Sequence, residues 1–294
     1  MISVVIPVYN EEEIISNILR QVSIELKNSF KEYEIILVND GSTDRTAEII
    51  KAQNDDRMLV ITHPENMGYG KSLLDGIIAA KHDCIAIIDA DGSYSPKDIR
   101  RLYEYYPQYD MVVGARRGDE YRSGLFKRPA RMLFQCLVEY AAGRKVDDVN
   151  SGIRIIKKSI ILKFKDSLCA GFSFTTTCTL VFLLNYYFVK YLPVLYFKRE
   201  GKSKIKYWRD TLRTGQIILE SILYYNPLKL FLLLAICNGL FGCVVWVLNY
   251  YLFRADFLSI MSAICIASFV PIFCTGLIAN QLKKTRDSGK HGID

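Results

Sequence analysis

Two aspartates, Asp89 and Asp91, follow a short apolar run that has the composition of a buried strand. The run, Cys84 to Ile88, is rich in isoleucine and shows no polar alternation, which is typical of a strand buried on both faces. Ligands of open α/β sheets bind outside the carboxyl ends of the strands. Carboxylates two residues apart at such an end suit a hard divalent cation that also holds phosphate oxygens. A turn capped by aspartate is the alternative, because Asp and Gly favour turns for local reasons.

Polar motifs also follow the first two predicted strands. The apolar run Ile2 to Val8 leads into Tyr9, Asn10 and Glu11, and the run Glu34 to Val38 leads into the sequence NDGSTD. A segment with helical spacing of apolar residues follows each motif. Alternating strands and helices predict a mostly parallel, three-layer α/β sheet. All three motifs are therefore expected at one edge of the sheet.

The same patterns predict the other elements of the first 200 residues. Further strands are predicted at Met58 to Thr62, Met111 to Gly114, Gly152 to Lys157 and Val189 to Phe197. Helices are predicted at Glu11 to Leu26, Thr43 to Ala52, Lys71 to Lys81, from Pro96 onward, Leu125 to Ala142 and Phe172 to Tyr187.

Two long apolar runs, Leu228 to Phe253 and Phe257 to Leu282, occupy the C-terminal part of the chain. Each exceeds the roughly 20 residues that cross a bilayer. The charged residue Lys229 lies at the very edge of the first run, and the short linker between the runs predicts a tight hairpin. Basic residues after Leu282 and before Leu228 place both ends in the cytoplasm by the positive-inside rule. The chain is therefore predicted to be a multi-pass membrane protein whose N-terminal α/β domain is cytoplasmic.

The segment Tyr207 to Tyr225 mixes apolar and charged residues at helical spacing. Such a helix fits a membrane interface, and it fits packing on the α/β core equally well. The overall composition agrees with some lipid-facing sequence, because hydrophobic residues make up 50% of the chain and the mean hydropathy is +0.12. The net charge of +7 indicates attraction to anionic lipid and phosphate, and no nucleic-acid partner is expected.

Four motifs together carry a family resemblance over roughly residues 1–205. They are PxYNE at residues 7–11, NDGSTD at 39–44, NxGxG at 66–70 and DAD at 89–91. In combination they resemble the family 2 nucleotide-sugar glycosyltransferases of GT-A fold, which is Rossmann-like. The apolar hairpin, the residues Asp148, Ser151, Gly152 and Arg154, and the basic stretch 199–204 narrow the resemblance to polyprenyl-phosphate glycosyltransferases of the dolichyl-phosphate mannose synthase type.

The resemblance implies a role for each motif residue. Tyr9 and Asp40 would hold the nucleotide base, and Asp89 with Asp91 would bind Mg²⁺ or Mn²⁺ on the diphosphate. The implied nucleotide-sugar site comprises Pro7, Tyr9, Glu11, Asp40, Asp89, Ala90, Arg199 and Lys204. The implied catalytic residues are Asp91, Asp148, Arg116 and Arg131, where the arginines would neutralise charge on the leaving nucleoside diphosphate. Asp148 either acts as a base or only positions other groups.

The implied activity is transfer of a sugar from a UDP- or GDP-linked donor to a polyprenyl phosphate, with inversion at the anomeric carbon. The implied domains are residues 1–206 for catalysis, 207–227 for a juxtamembrane helix, 228–282 for the hairpin and 283–294 for a basic tail. A processive polysaccharide synthase and a non-catalytic nucleotide-sugar binding protein are the alternatives. The oligomeric state is open, a homo-oligomer included.

Some positions depart from the family pattern. Ser93 stands where dolichyl-phosphate mannose synthases have glutamine, and Thr175 to Thr177 stand where relatives often have an acid. Arg199 lies one position closer to its glycine than usual. These departures leave the sugar and the base undetermined.

Overall fold

The computed structural model describes residues 1–53, 55–118, 128–171, 173–198 and 226–290, together with 215–216, 219–220 and 222–223. The chain divides into two compact units, Met1–Gly215 and Gln216–Asp294. The four-part domain division expected from the sequence stays a prediction, and most of the segment Tyr207 to Tyr225 lies outside the described residues.

A seven-stranded sheet organises the described part of the first unit. Its strands are β1 Ile2–Val8, β2 Tyr33–Asn39, β3 Met58–Thr62, β4 Cys84–Ile87, β5 Met111–Arg117, β6 Arg154–Lys157 and β7 Val189–Leu195. Their order is β3-β2-β1-β4-β6-β5-β7, and β6 runs antiparallel to both of its neighbours while the other pairs are parallel. The predicted mostly parallel α/β fold is confirmed. Because β6 is antiparallel, it begins at the edge where the other strands end.

Helices cover both faces of the sheet. They are α1 Ile15–Ser29, α2 Thr46–Lys51, α3 Tyr69–Ala79, α4 Lys97–Tyr103, α5 Arg128–Ala142, the short α6 Lys158–Ile161 and α7 Phe174–Leu184. Alternate residues of β1 explain the layering, since Val4 and Ile6 pack with α1 and α4 whereas Val5 packs with α3 and α7. The sheet is therefore the middle of three layers.

Several helices begin or end away from their predicted bounds. The first was expected from Glu11, but α1 starts at Ile15 because Asn10 has a left-handed backbone (φ 51°) and residues 10–14 form turns. The helix predicted from Lys71 begins two residues earlier, since α3 starts at Tyr69, directly after Gly68 with φ 102°. These differences lie at the sheet edge that carries the polar motifs.

The second unit contains the two apolar segments. Its elements are α8 Pro227–Leu248, a π-helical turn Asn249–Phe253, α9 Asp256–Ala267 and α10 Phe269–Lys290. The segments Pro227–Leu252 and Asp256–Lys283 are long and apolar enough to cross a membrane. The second segment was predicted as one continuous apolar run, but its helix is interrupted at Ser268. Pro271 follows three residues later, and it has no backbone N–H to donate to the preceding turn. Asn238 bridges the two segments by donating to the Cys265 carbonyl at 2.8 Å and to the Ser268 hydroxyl at 2.7 Å.

Candidate active site

Asp89 and Asp91 lie just beyond the end of β4, on either side of the buried Ala90. Oδ1 of Asp91 accepts hydrogen bonds from the Ser93 backbone N–H at 3.0 Å and from the Ser93 hydroxyl at 2.5 Å. Gly92 between them has φ 72°, so the chain turns sharply here. Ser93, which departs from the family pattern, therefore orients the Asp91 carboxylate.

Two residues from other elements fix Asp89. The Tyr69 hydroxyl at the start of α3 donates to Asp89 Oδ1 at 2.8 Å, and burial together with the nearby Asp89 charge raises the pKa of Tyr69, so that it remains a donor. On the other side, a Cβ at Gly152 would lie 1.9 Å from Asp89 Oδ2. The Gly152 N–H is held by the Tyr94 hydroxyl at 2.8 Å. Only glycine at 152 leaves room for the Asp89 carboxylate.

Asp40, at the end of β2, organises the loop that leads into α3. Its Oδ1 accepts from the Met67 N–H at 2.8 Å and lies 2.8 Å from His63 Nδ1, and its Oδ2 accepts from the Gly68 N–H at 2.9 Å. Gly41, with φ 66°, brings the chain against this loop, since a Cβ there would lie 2.4 Å from the Glu65 carbonyl carbon. Asp40 is buried, and these three contacts fix its carboxylate plane.

The loop after β1 is joined to the loop after β2. The Asn10 N–H donates to the Ser42 hydroxyl at 3.0 Å, and the Glu11 N–H donates to the Thr46 hydroxyl at 2.9 Å. The Thr43 N–H in turn donates to the Asn10 side chain at 2.7 Å. Ser42 of the NDGSTD motif and Thr46, two residues after it, thus supply the hydroxyl groups that accept the N–H groups of Asn10 and Glu11 in the turn after β1.

Arg116, near the end of β5, pairs with Asp148 in the loop before β6. Its Nε and Nη2 donate to the two carboxylate oxygens at 2.8 Å each, and its backbone N–H donates to Oδ2 at 3.0 Å. Burial alone would raise the pKa of Asp148, but the charge and hydrogen bonds of Arg116 outweigh it and lower that pKa. The guanidinium also lies 5.5 Å from the ring centroid of Tyr196. Asp148 is thus an ionised partner of an arginine.

Arg154, the first residue of β6, is fully buried and holds the loop that carries Asp148 and Gly152. Its guanidinium donates to the carbonyls of Ser151, Val149 and Thr175 and to the Thr179 hydroxyl, at 2.6 to 3.4 Å. None of these acceptors is a carboxylate. The bonds attach the loop to the first turns of α7, so Arg154 connects the two sides of the site.

The structure brings together most of the residues that the sequence singled out. Pro7, Tyr9, Glu11, Asp40, Asp89, Ala90, Asp91, Arg116 and Asp148 all lie at the carboxyl edge of the parallel strands. Arg199 and Lys204 lie outside the described residues, as does the side chain of Arg131. The individual roles assigned to all these residues stay predictions.

Sequence reasoning missed Tyr69, His63, Tyr94 and Tyr196 as parts of this site. Tyr69 stands inside the NxGxG motif, so its position was the available signal. Tyr94 and Tyr196 gave no such signal, because their rings meet edge to face at 5.3 Å only through the pairing of distant strands.

The two aspartates fit part of a divalent-cation site. Among the described residues, no group of three or more His, Cys, Asp or Glu side chains is arranged to hold a metal. Magnesium is commonly bound by one or two carboxylates, with phosphate oxygens and water completing the octahedron. A two-carboxylate set of hard oxygen donors is therefore chemically suited to Mg²⁺ or Mn²⁺ on a diphosphate.

The fold and the sheet-edge site define an α/β protein of the GT-A type. The chain belongs to glycosyl transferase family 2, whose family model matches residues 3–169. A second family model, the GtrB C-terminal hairpin, matches residues 226–284. The predicted resemblance to family 2 is confirmed.

Curated relatives include undecaprenyl-phosphate 4-deoxy-4-formamido-L-arabinose transferases. Those of Edwardsiella ictaluri and Photorhabdus laumondii are 36% and 34% identical over 163 residues, which is 54% of this chain and 50% of each relative. The chain therefore matches about half the length of these relatives. Among solved structures, glucosyl-3-phosphoglycerate synthase from Mycobacterium tuberculosis superposes with a TM-score of 0.59 at 19% identity, covering 75% of this chain and 79% of that one. This likeness supports the fold.

Proposed function

We propose that this chain is a glycosyltransferase that moves a sugar from a nucleotide diphosphate donor to a polyprenyl phosphate at a membrane. The observation that carries the proposal is the meeting of Asp40, Asp89, Asp91 and Arg116 at one sheet edge, in a chain that also has two membrane-length segments. The acceptor class is supported by the relatives, which are named undecaprenyl-phosphate transferases.

On the donor side, Asp89 and Asp91 would hold Mg²⁺ or Mn²⁺, which when bound neutralises charge on the diphosphate leaving group. Tyr69 and Ser93 orient the two carboxylates. The donor site would be completed by Pro7, Tyr9, Glu11 and Ala90, with Arg131, Arg199 and Lys204 as further cationic or binding groups.

Asp40 supports a preference for a uracil base. An ionised carboxylate offers about four acceptor positions, and the contacts of Asp40 use two on Oδ1 and one on Oδ2. The contacts from the described residues thus leave one position on Oδ2 for a ligand. Uracil presents a single ring N–H between two carbonyls, whereas guanine presents two adjacent N–H donors that call for two acceptors. The donor is therefore proposed to be a UDP-sugar.

On the acceptor side, the nucleophile needs little help from a base. A phosphate monoester has a second pKa near 6 and is largely dianionic at neutral pH. Asp148 is held by Arg116 and its pKa is lowered, which supports a positioning role and argues against proton abstraction. Direct attack of the phosphate oxygen on the anomeric carbon, with departure of the nucleoside diphosphate, gives inversion.

The hairpin supports membrane attachment with both ends, and the catalytic domain, on the cytoplasmic side. A polyprenyl phosphate is water-insoluble, so an enzyme held at the membrane surface encounters it at a raised local concentration. Membrane anchoring and the cytoplasmic orientation are parts of this proposal.

The test is a screen of labelled UDP- and GDP-sugars for transfer into a lipid fraction by the purified full-length protein with a polyprenyl phosphate and Mg²⁺. We expect one UDP-sugar to give a lipid-linked monosaccharide with inverted anomeric configuration by NMR. Binding of nucleotide without turnover would indicate a binding protein, a polymeric product would indicate a processive synthase, and a GDP-sugar as the best donor would contradict the base assignment.

A further inference from the structure

His63 lies between two carboxylates at the base of the proposed nucleotide site. It follows β3 directly, and its N–H donates to the Asn39 carbonyl at 2.9 Å, which continues the pairing with β2. Its ring Nδ1 lies 2.8 Å from Asp40 Oδ1 and its Nε2 lies 3.1 Å from Asp75 Oδ2. The ring is therefore fixed at both nitrogens and by its own backbone.

Carboxylate side chains alternate with nitrogen-bearing side chains along a short path from the protein interior to solvent. Asp75 also accepts from Lys71, one turn earlier in α3, at 2.6 Å. The exposed fractions of the side chains rise from 5% for Asp40 through 9% for His63 and 24% for Asp75 to 39% for Lys71. Asp40 and Asp75 each contact one ring nitrogen of His63, and Asp75 also accepts from Lys71. The most deeply buried member, Asp40, is the one assigned to the nucleotide.

We propose that His63 is a positioning residue for the nucleotide, which it orients by donating from Nδ1 to Asp40. Carboxylate oxygens only accept, so this contact requires a proton on Nδ1. The contact with the His63 ring fixes the rotation of the Asp40 carboxylate, so that Oδ2 stays in place to accept from the Gly68 N–H. The inference rests on the proposed function, because it presupposes that Asp40 accepts an N–H from the base.

Specific substitutions separate this role from simple packing. In His63→Asn the side-chain amide reaches the place of Nδ1 and can still donate to Asp40. In His63→Gln the amide reaches the place of Nε2, toward Asp75, and leaves Asp40 without that donor. The two variants differ by one methylene, so a packing role alone predicts that Gln, the closer match in length, is the less damaging change.

The experiment measures UDP affinity of the full-length protein by calorimetry with Mg²⁺, together with the melting temperature and the KM for the lipid acceptor. We expect His63→Gln to weaken UDP binding about 10- to 100-fold, the usual effect of losing a hydrogen bond to a charged group. His63→Asn should stay within about threefold of the wild type by the same reasoning. The KM for the acceptor should not change, and His82→Asn serves as the matched control.

Asp40→Ala, which removes both acceptor oxygens, distinguishes failure of this inference from failure of the proposed base contact. If a folded Asp40→Ala binds UDP as the wild type does, the proposed base contact is wrong. If Asp40→Ala binds weakly but a folded His63→Gln binds normally, the contact stands and the role of His63 is wrong. Equal weakening by Asn and Gln, or a lower melting temperature with unchanged UDP affinity, would also overturn the inference.

Discussion

Arg116 and Asp148 form a two-point ion pair, with Nε to Oδ2 and Nη2 to Oδ1 both 2.8 Å, although they come from different elements of the sheet edge. Their side chains are 18% and 2% exposed, so the aspartate has almost no access to water. A planar guanidinium that binds both oxygens fixes the position of the carboxylate as well as its charge. The pair therefore connects the end of β5 with the loop before β6.

Asp148→Asn is expected to destabilise the protein with a characteristic pH dependence. Loss of one partner of a buried pair costs about 3 kcal/mol, which corresponds to a melting temperature lower by roughly 6 to 12 °C. The folded-state pKa of Asp148 lies below 3.8, so its stabilisation is present above that pH and is lost as the pH falls through the folded pKa.

The melting temperatures of wild type and Asp148→Asn, measured in detergent from about pH 8 down to about pH 3, check this expectation. The gap should be constant from about pH 8 to pH 5 and should narrow only in acid. A gap that changes near neutral pH would contradict a pKa lowered by Arg116.

Gly152→Ala is expected to disrupt the Asp89 carboxylate. The added Cβ would lie 1.9 Å from Asp89 Oδ2, so the carboxylate must move. Transfer should fall about 100-fold or more, in the range caused by loss of one preorganised group, while metal-free UDP binding stays the same. Gly215→Ala is the control, since a Cβ there meets nothing within 4 Å. Full activity of Gly152→Ala would show that Asp89 need not keep this position.

Asp91→Ala should abolish transfer while the protein stays folded, because Asp91 lies beyond the end of β4 and outside the hydrogen-bonded strands of the sheet. The loss should be at least 100-fold, as for other groups that stabilise a charged transition state. Transfer rate across a Mg²⁺ titration, with circular dichroism for the fold, is the measurement. Exposed Asp166→Asn is the control, and normal metal-dependent activity of Asp91→Ala would remove Asp91 from the metal site.

Arg154→Met is expected to impair transfer without weakening UDP binding at Asp40. The substitution removes the guanidinium donors to the Ser151, Val149 and Thr175 carbonyls, and buried carbonyls left unpaired cost roughly 1 to 3 kcal/mol each. The loop that carries Asp148 and Gly152 should then shift. Arg154→Lys should retain only part of the activity, because an ammonium has three donors and no planar fork.

Calorimetry with UDP measures nucleotide affinity, and a lipid-transfer assay on the same preparations of Arg154→Met measures the transfer rate. A folded Arg154→Met protein that transfers sugar at the wild-type rate would show that the loop keeps its place without the guanidinium.

The sequence by itself determined the layout of the protein. The unbroken apolar run Cys84 to Ile88 predicted a strand covered on both faces, and the two apolar runs of membrane length without central charges predicted the C-terminal hairpin. The parallel arrangement followed from alternating strands and helices, and it placed the motifs after β1, β2 and β4 at one edge. Asp40, Asp89 and Asp91 were found in this way, because Asp40 directly follows β2 and the other two lie within four residues of the end of β4.

Only the tertiary structure decided how these residues are held. The antiparallel β6 between β4 and β5 places Arg154 in the core and brings Gly152 against Asp89, and local patterns carry no information about such long-range pairing. The partners Arg116 and Asp148, or His63 and Asp40, come from elements joined by the sheet. Hydrogen-bond geometry depends on distances of a few tenths of an ångström, which packing fixes and residue spacing does not.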